Sequence, residues 1–157
     1  MVKRTKINPR QNNHFATCRP NFRSSVLLKR IELSGTVFSS RGDGKKFLEL
    51  PWVKQQIKQK LGFTPYPGTL NVMLSEESVK RKKLLEKVHS IKVCPVDGYC
   101  SGTLIKAFIG KLKCAIVAPE VTGYPKDVLE IIAPVNLREQ LQLEDGGEVT
   151  VTVTVNL

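Results

Sequence analysis

Thr69 and Asn71 stand two residues apart in "FTPYPGTLNVML", residues 63–74, directly after a Tyr-Pro-Gly turn. In an extended strand such residues share a face, with α-carbons roughly 6–7 Å apart. A hydroxyl and an amide oxygen so placed can converge on one cation or one phosphate-bound water. A strand with a polar outer face would carry the same pair. Leu70, Val72 and Leu74 alternate with them and should pack inward. A second candidate is "SSRGDGKKF", residues 39–47. Its Gly42 and Gly44 let backbone N–H groups approach an anion, and Arg41, Lys45 and Lys46 add positive charge. The stretch is not a Walker A loop, whose G-x-x-x-x-G-K-[ST] occurs nowhere in the chain, and it lacks the third glycine of a dinucleotide fingerprint. A solvated hairpin turn has much the same composition. The third candidate, residues 122–146, carries Thr122, Glu130, Asn136 and Arg138. Glu130 sits inside the apolar run "VLEIIAP", where an unpaired carboxylate would be costly, so it should have a specific partner: a ligand or a backbone amide.

Other chemistries find little support. His14 and His89 stand in no recognisable motif, which argues against a Ser-His-Asp or Cys-His nucleophile site. Cys18, Cys94, Cys100 and Cys114 form no C-x-x-C pair, so reduced, partly buried thiols are expected in place of a structural zinc site. The net charge of +11 invites a nucleic-acid reading, but eight of those charges fall in residues 1–30, which hold no acid; residues 31–157 keep three. That segment is read as a basic, mobile extension, able to touch RNA or another polyanion, or alternatively as an organelle leader. The remaining 31–157 suit one domain. No apolar run is long enough to span a bilayer and the N-terminus lacks the apolar centre of a secretory signal, so a cytoplasmic protein is expected.

The elements that must position these residues are mostly strands. "RIELSGTVFSS" and "EVTVTVTV" alternate with period two, "LIKAFIGKLKCAIVA" reads as a hairpin turning near Gly110 and Lys111, and "VLEIIAP" is a further short strand. "PWVKQQIKQKLG" is helical, with Pro51 near its start, Val53, Ile57 and Leu61 on one face and Gly62 as its stop. "SEESVKRKKLLEKV" offers Ser75 as a cap, and "NLREQL" a single turn. The fold class is mainly β: a small barrel with one or two short helical insertions.

The runs "GDGKKF", "LPWV", "LGFTPYPGTLNVML", "AIVAPEVTGY", "EIIAP" and "LREQLQLEDG" together resemble the CTP-dependent riboflavin kinases of archaea, in that family's order, over roughly residues 33–153. The resemblance implies a compact six-stranded cradle-loop β-barrel that phosphorylates riboflavin to FMN, with CTP as donor and Mg²⁺ as cofactor. It implies nucleotide contacts at Ser40, Arg41, Gly42, Asp43, Gly44 and Lys45 and at Val135, Asn136, Leu137 and Arg138. It puts the metal ligands at Thr69 and Asn71, and the flavin contacts at Thr122 and Glu130. Two positions depart from the family: Ser40 replaces a glycine that usually opens the loop, and Asp145-Gly146-Gly147-Glu148 replaces an Asp-Gly-Asp turn.

No general base is evident; Glu130, Asp43 and Glu139 are the carboxylates in reach, and spacing does not choose among them. The alternatives are a nucleic-acid-binding barrel or regulator using the basic extension, and a family member that binds flavin or nucleotide without turnover. Against the former, the body beyond the extension lacks a basic helix and an aromatic stacking platform. Small-molecule substrates and a monomer are expected.

Overall fold

Alternation of apolar and polar side chains sets the strands. In the computed structural model, which describes residues 28–96, 98 and 101–156, these are β1 (Leu28–Phe38), β2 (Leu70–Leu74), β3 (Ile91–Val93), β4 (Gly102–Ile109), β5 (Leu112–Pro119), β6 (Val128–Ile132) and β7 (Glu148–Asn156). Neighbours are antiparallel in the order β3-β4-β5-β6-β2-β1-β7, and Phe108 of β4 opposite Thr152 of β7 joins the ends. Six strands thereby close a barrel, as expected. β3 is a seventh, appended to the first half of β4 with Val93 facing Gly102. The β4–β5 hairpin turns at Gly110, whose φ is 58°.

Every second residue fills the barrel: Ile31, Leu33 and Val37, then Leu70, Val72 and Leu74, then Leu129 and Ile131, then the four valines of β7 from Val149 to Val155. The thiol of Cys114 lies among them, and burial pushes its pKa up to about 12, so it is inert at neutral pH. A second apolar cluster lies outside the barrel wall. There Leu104, Ala115 and Ile132 of the strands meet Leu48, Val53 and Ile57 of two helices, α1 (Asp43–Leu48) and α2 (Pro51–Leu61). This is why Ile131 and Ile132 are consecutive and both buried: one face looks into the barrel, the other under the helices.

α2 begins at Pro51 and ends at Gly62, whose φ of 82° makes it the left-handed stop. α1 differs from expectation, since "GDGKKF" reads as a loop. The helix forms because Phe47 and Leu48 bury against α2, Phe47 meeting Trp52 edge-on at 5.8 Å between ring centres, and six residues are too few to show a helical period. Ser75 caps α3 (Glu76–Lys82) by accepting the Ser78 N–H at 3.3 Å. The chain then tightens into a 3₁₀ turn over Lys83–Lys87 that buries Leu85. These two segments carry Lys80, Arg81, Lys82, Lys83 and Lys87, so the body does hold a basic helical stretch. α4 (Leu137–Leu141) is the expected single turn. Among the described residues no helix is long and apolar enough to cross a membrane. Cys18, Cys100, His14 and the basic extension up to residue 27 lie outside the described residues.

β1 and β2 touch most closely at Gly35, where a Cβ would stand 2.2 Å from the Met73 carbonyl oxygen. Gly35→Ala should therefore cost about 2–4 kcal/mol of stability, as overpacking against backbone does. Gly102→Ala, where the nearest atom is 3.6 Å away, should cost less than about 1 kcal/mol. Urea unfolding of the two variants measures this, and equal midpoints would contradict the close approach.

Candidate functional site

The opening pair sits at the entry to β2. Leu70, Val72 and Leu74 are buried as their alternation requires, and Met73 is exposed. Asn71 points away from the barrel core yet is only 6% exposed. Its Nδ2 donates to Ser40 Oγ at 3.1 Å, with longer contacts of 3.5 Å to Thr69 Oγ1 and the Thr69 carbonyl. Among the described residues nothing donates to its Oδ1. Gly44 explains how α1 comes so close: a Cβ there would stand 2.8 Å from Thr69 Oγ1. The glycine expected to admit an anion instead admits Thr69.

Strand register then aligns the candidates. Asn71 is opposite Phe38 of β1 on one side and Glu130 of β6 on the other, and Glu130 is opposite Val117 of β5. Directly opposed residues share a face with Cβ atoms about 4.5–5.5 Å apart. One row across four strands thus runs from the root of the 39–42 loop, through the Asn71 amide, to the Glu130 carboxylate.

On one side of Thr69 is a cavity of about 190 Å³ lined by Tyr66, Gly68, Thr69, Val135, Asn136 and Arg138, among others. Asn136 Oδ1 caps α4 by accepting the N–H groups of Arg138 and Glu139 at 3.1 and 3.4 Å, and its Nδ2 donates to Tyr66 Oη at 3.3 Å. Leu137 turns its side chain into the barrel core. Arg138 Nη2 donates to the Phe38 carbonyl at 3.1 Å, to Ser39 Oγ at 3.4 Å and to Asp145 Oδ1 at 2.8 Å. Ser39 also donates to the Asp145 carboxylate. Asp145 therefore belongs to the site's support as well as to a turn, and hydrogen bonds from Arg138 and Ser39 hold its carboxyl below the usual range.

Beyond Glu130 the surroundings turn apolar. Its cross-strand neighbour Val117 and its chain neighbour Leu129 line a cavity of about 460 Å³ with Ile105, Ile116, Leu85 and Tyr124. The Tyr124 hydroxyl is buried, and its one polar neighbour among the described residues is the Glu130 carboxylate, close enough to act on it though not in good hydrogen-bond geometry. Burial, reinforced by the nearby Glu130 carboxylate, raises its pKa above the ordinary phenol value. Lys82 lines the same cavity, donating to the carbonyls of Lys126 and Val128, and burial lowers its pKa.

Not every candidate joins this row. Thr122 is exposed on the β5–β6 loop and lines neither cavity. Arg41, Asp43 and Lys45 are exposed at the start of α1, and none makes a side-chain hydrogen bond to a described residue. A basic cleft of about 500 Å³, lined by Lys60, Lys87, His89 and Lys106, holds no candidate residue. Conversely, the sequence reading gave no site role to Tyr66, Tyr124 or Ser39, though Ser39 opens the quoted loop, and saw Asp145 only as part of a turn. Only Tyr66 carried a usable signal, an aromatic residue between two prolines beside the Thr-Leu-Asn run.

The unpartnered Asn71 Oδ1 beside the Thr69 hydroxyl suits a hard cation. Among the described residues no group of three or more His, Cys, Asp or Glu side chains could hold a metal. Two neutral oxygens leave most of the coordination to anionic ligands.

Residues 37–153 match the family model for CTP-dependent riboflavin kinases, described as a domain of unknown function, DUF120. Riboflavin kinase from Pyrobaculum islandicum is 44% identical over 130 residues, covering 78% of this chain and 60% of the relative. That of Methanosarcina barkeri is 41% identical over 125 residues, covering 77% and 56%. That of Saccharolobus solfataricus is 39% identical over 147 residues, covering 89% and 84%. The chain thus matches little more than half the length of the first two.

The Arg138–Asp145 pair yields a pH test. A carboxyl whose folded-state pKa is depressed stabilises the fold above its unfolded pKa, about 3.9, and that stabilisation is lost as pH falls through the lower folded value. Asp145→Asn should accordingly lose stability less steeply than the parent protein on acidification below about pH 4. Carbon-detected NMR should place the Asp145 midpoint below the ordinary value, and Arg138→Ala should raise it, with the Ser39 bonds keeping part of the depression. A midpoint indifferent to Arg138 would contradict the pairing.

Proposed function

The chain belongs to the CTP-dependent riboflavin kinase family, and we propose that it transfers a phosphoryl group from CTP to the ribityl 5′-hydroxyl of riboflavin, giving FMN and CDP with Mg²⁺ as cofactor. One observation carries this reading: Asn71 lies directly opposite Glu130. A kinase must bring the phosphates of its donor and the hydroxyl of its acceptor together, and these two side chains would hold one each.

On the donor side, Thr69 and Asn71 hold the metal, which when bound neutralises charge on the transferring phosphates. The 40–45 segment (Ser40, Arg41, Gly42, Asp43, Gly44, Lys45) and residues 135–138 hold the nucleotide around the cavity beside Thr69. Arg138 suits that task, because Nη2 is anchored to the Phe38 carbonyl and Asp145 while Nε and Nη1 have no hydrogen-bond partner among the described residues. On the acceptor side, the isoalloxazine ring occupies the apolar cavity next to Glu130. That cavity's volume of about 460 Å³ falls within the usual range for ligand pockets. Glu130, with Thr122 from the adjoining loop, accepts flavin hydrogen bonds, and the buried Tyr124 hydroxyl beside Glu130 is a further polar group facing that cavity. Phosphoryl transfer passes through a loose transition state, so positioning and charge neutralisation supply most of the rate. Glu130 is better placed than Asp43 to orient the acceptor hydroxyl. The kinase domain is residues 31–157 with a basic extension before it, and the protein works as a cytoplasmic monomer.

Incubating the chain with riboflavin, Mg²⁺ and each of four nucleoside triphosphates should yield FMN with CTP and far less with the others. Flavin binding without product in all four would reduce the protein to a binding module, and nucleic-acid binding without flavin binding would favour the regulator. Glu130→Gln should weaken riboflavin binding by about 1–3 kcal/mol, since it removes a charged acceptor and adds a competing donor, while CTP affinity stays unchanged. Fluorescence titration measures it. Equal flavin affinities in two equally folded proteins would make Glu130 a structural residue.

A further inference from the structure

Asn71 poses a problem that the metal reading alone leaves unsolved. A side-chain amide is nearly symmetric in shape, and only its oxygen can bind a cation. Rotating the group by half a turn would present two N–H donors to the metal and repel it. Some neighbour has to decide which end faces out.

The Thr69 carbonyl sets the sense, and a second neighbour holds the group in place. The amide atom within 3.5 Å of the Thr69 backbone carbonyl must be the nitrogen, because a carbonyl can only accept. That contact is long, and so is the one to Thr69 Oγ1 at 3.5 Å. The short bond, 3.1 Å, goes to Ser40 Oγ. Ser40 is itself steadied, its oxygen taking a second, longer contact of 3.5 Å from the Gly42 N–H. Asn71 is almost wholly buried, so little water competes for the amide nitrogen. Without the Ser40 hydroxyl, the amide would keep only the two 3.5 Å contacts, too weak to hold the side chain firmly in one place.

We infer that Ser40 is a positioning residue: its hydroxyl holds in place the Asn71 amide, whose sense the Thr69 carbonyl sets with Oδ1 toward the cation, and ties the nucleotide loop to the metal ligand. The inference rests on the metal reading above and deepens it. It also gives a physical meaning to the departure at this position, where the resembled family opens its loop with glycine. This chain has its metal ligand oriented before nucleotide arrives. A glycine there would leave the bound phosphates to hold the amide in place.

Three variants test it: Ser40→Ala and Ser40→Gly remove the acceptor, and Ser40→Thr keeps it. The first readout needs no metal. The Asn71 side-chain amide resonance, assigned by its loss in Asn71→Ala, should shift and broaden in the alanine and glycine variants and stay near its parent position in the threonine one. The second is Mn²⁺ binding followed by electron paramagnetic resonance, with CTP present and riboflavin absent. Affinity should fall about tenfold in the alanine and glycine variants, the lower end for losing an outer-shell partner of a metal ligand, and be restored by threonine. CTP affinity in excess EDTA should fall much less than Mn²⁺ affinity in the alanine and glycine variants, the smaller loss reporting Ser40's own contact with the nucleotide. Mn²⁺ affinity indifferent to position 40, or a metal-free CTP loss as large as the Mn²⁺ loss, would overturn the inference and leave Ser40 a simple nucleotide contact. Absence of any Mn²⁺ binding by the parent protein with CTP would overturn the metal reading itself.

Discussion

β2 is held between β1 and β6 in a register that fixes the face each of its side chains takes. Because successive residues of a strand alternate faces, slipping this pairing by one residue would turn Asn71 into the barrel and Leu70 and Val72 out of it. The apolar cost of that slip locks the polar row in place. Gly35 tightens the lock, since its missing side chain lets the β1 backbone lie against the Met73 carbonyl. The chemistry of the outer face is thus specified by packing on the inner one. Phe38 delivers the loop, Asn71 follows on the next strand, and Glu130 on the next.

The helices turn that row from an exposed strip into a site. α1 and α2 bury a second apolar cluster against the outer wall, and α1 approaches closely enough for Gly44 to touch Thr69. Burial of Asn71 follows from that approach, and with it the lowered competition from water that makes an amide oxygen worth using as a ligand. Charge is distributed accordingly. The pair proposed for the metal, Thr69 and Asn71, is neutral, the cation Arg138 is tethered by Asp145 and Ser39, and the one carboxylate in the row, Glu130, lies on the side away from the loop. On the proposed reading, a site so arranged would take a triphosphate without first having to expel a bound ion.

Strands with uninterrupted period two were legible in the sequence: the Val149–Val155 alternation and the hairpin at Gly110 lie where the pattern puts them. α2 was legible from Pro51, its four-residue spacing and Gly62. α1 was not, because a six-residue helix has less than two turns in which to show a period, and its glycines imitate a loop. β3 was hidden for a similar reason, being three residues long. At the site, Thr69, Asn71 and Glu130 stood out by residue type, yet their adjacency depends on the β2–β6 register, a long-range pairing that no local pattern encodes. The Arg138–Asp145–Ser39 bonds and the Asn71–Ser40 bond were invisible for the same reason: each joins residues from different elements.

The central claim is that metal and flavin sit side by side across the β2–β6 pair, and paramagnetic relaxation measures that adjacency directly. With Mn²⁺, a non-transferable CTP analogue and riboflavin bound together, the proton lines of the ribityl 5′-methylene should broaden most. The methyl groups on the far edge of the ring system, deep in the apolar cavity, should broaden least. Uniform broadening, or none, would place the flavin away from Asn71 and contradict the account.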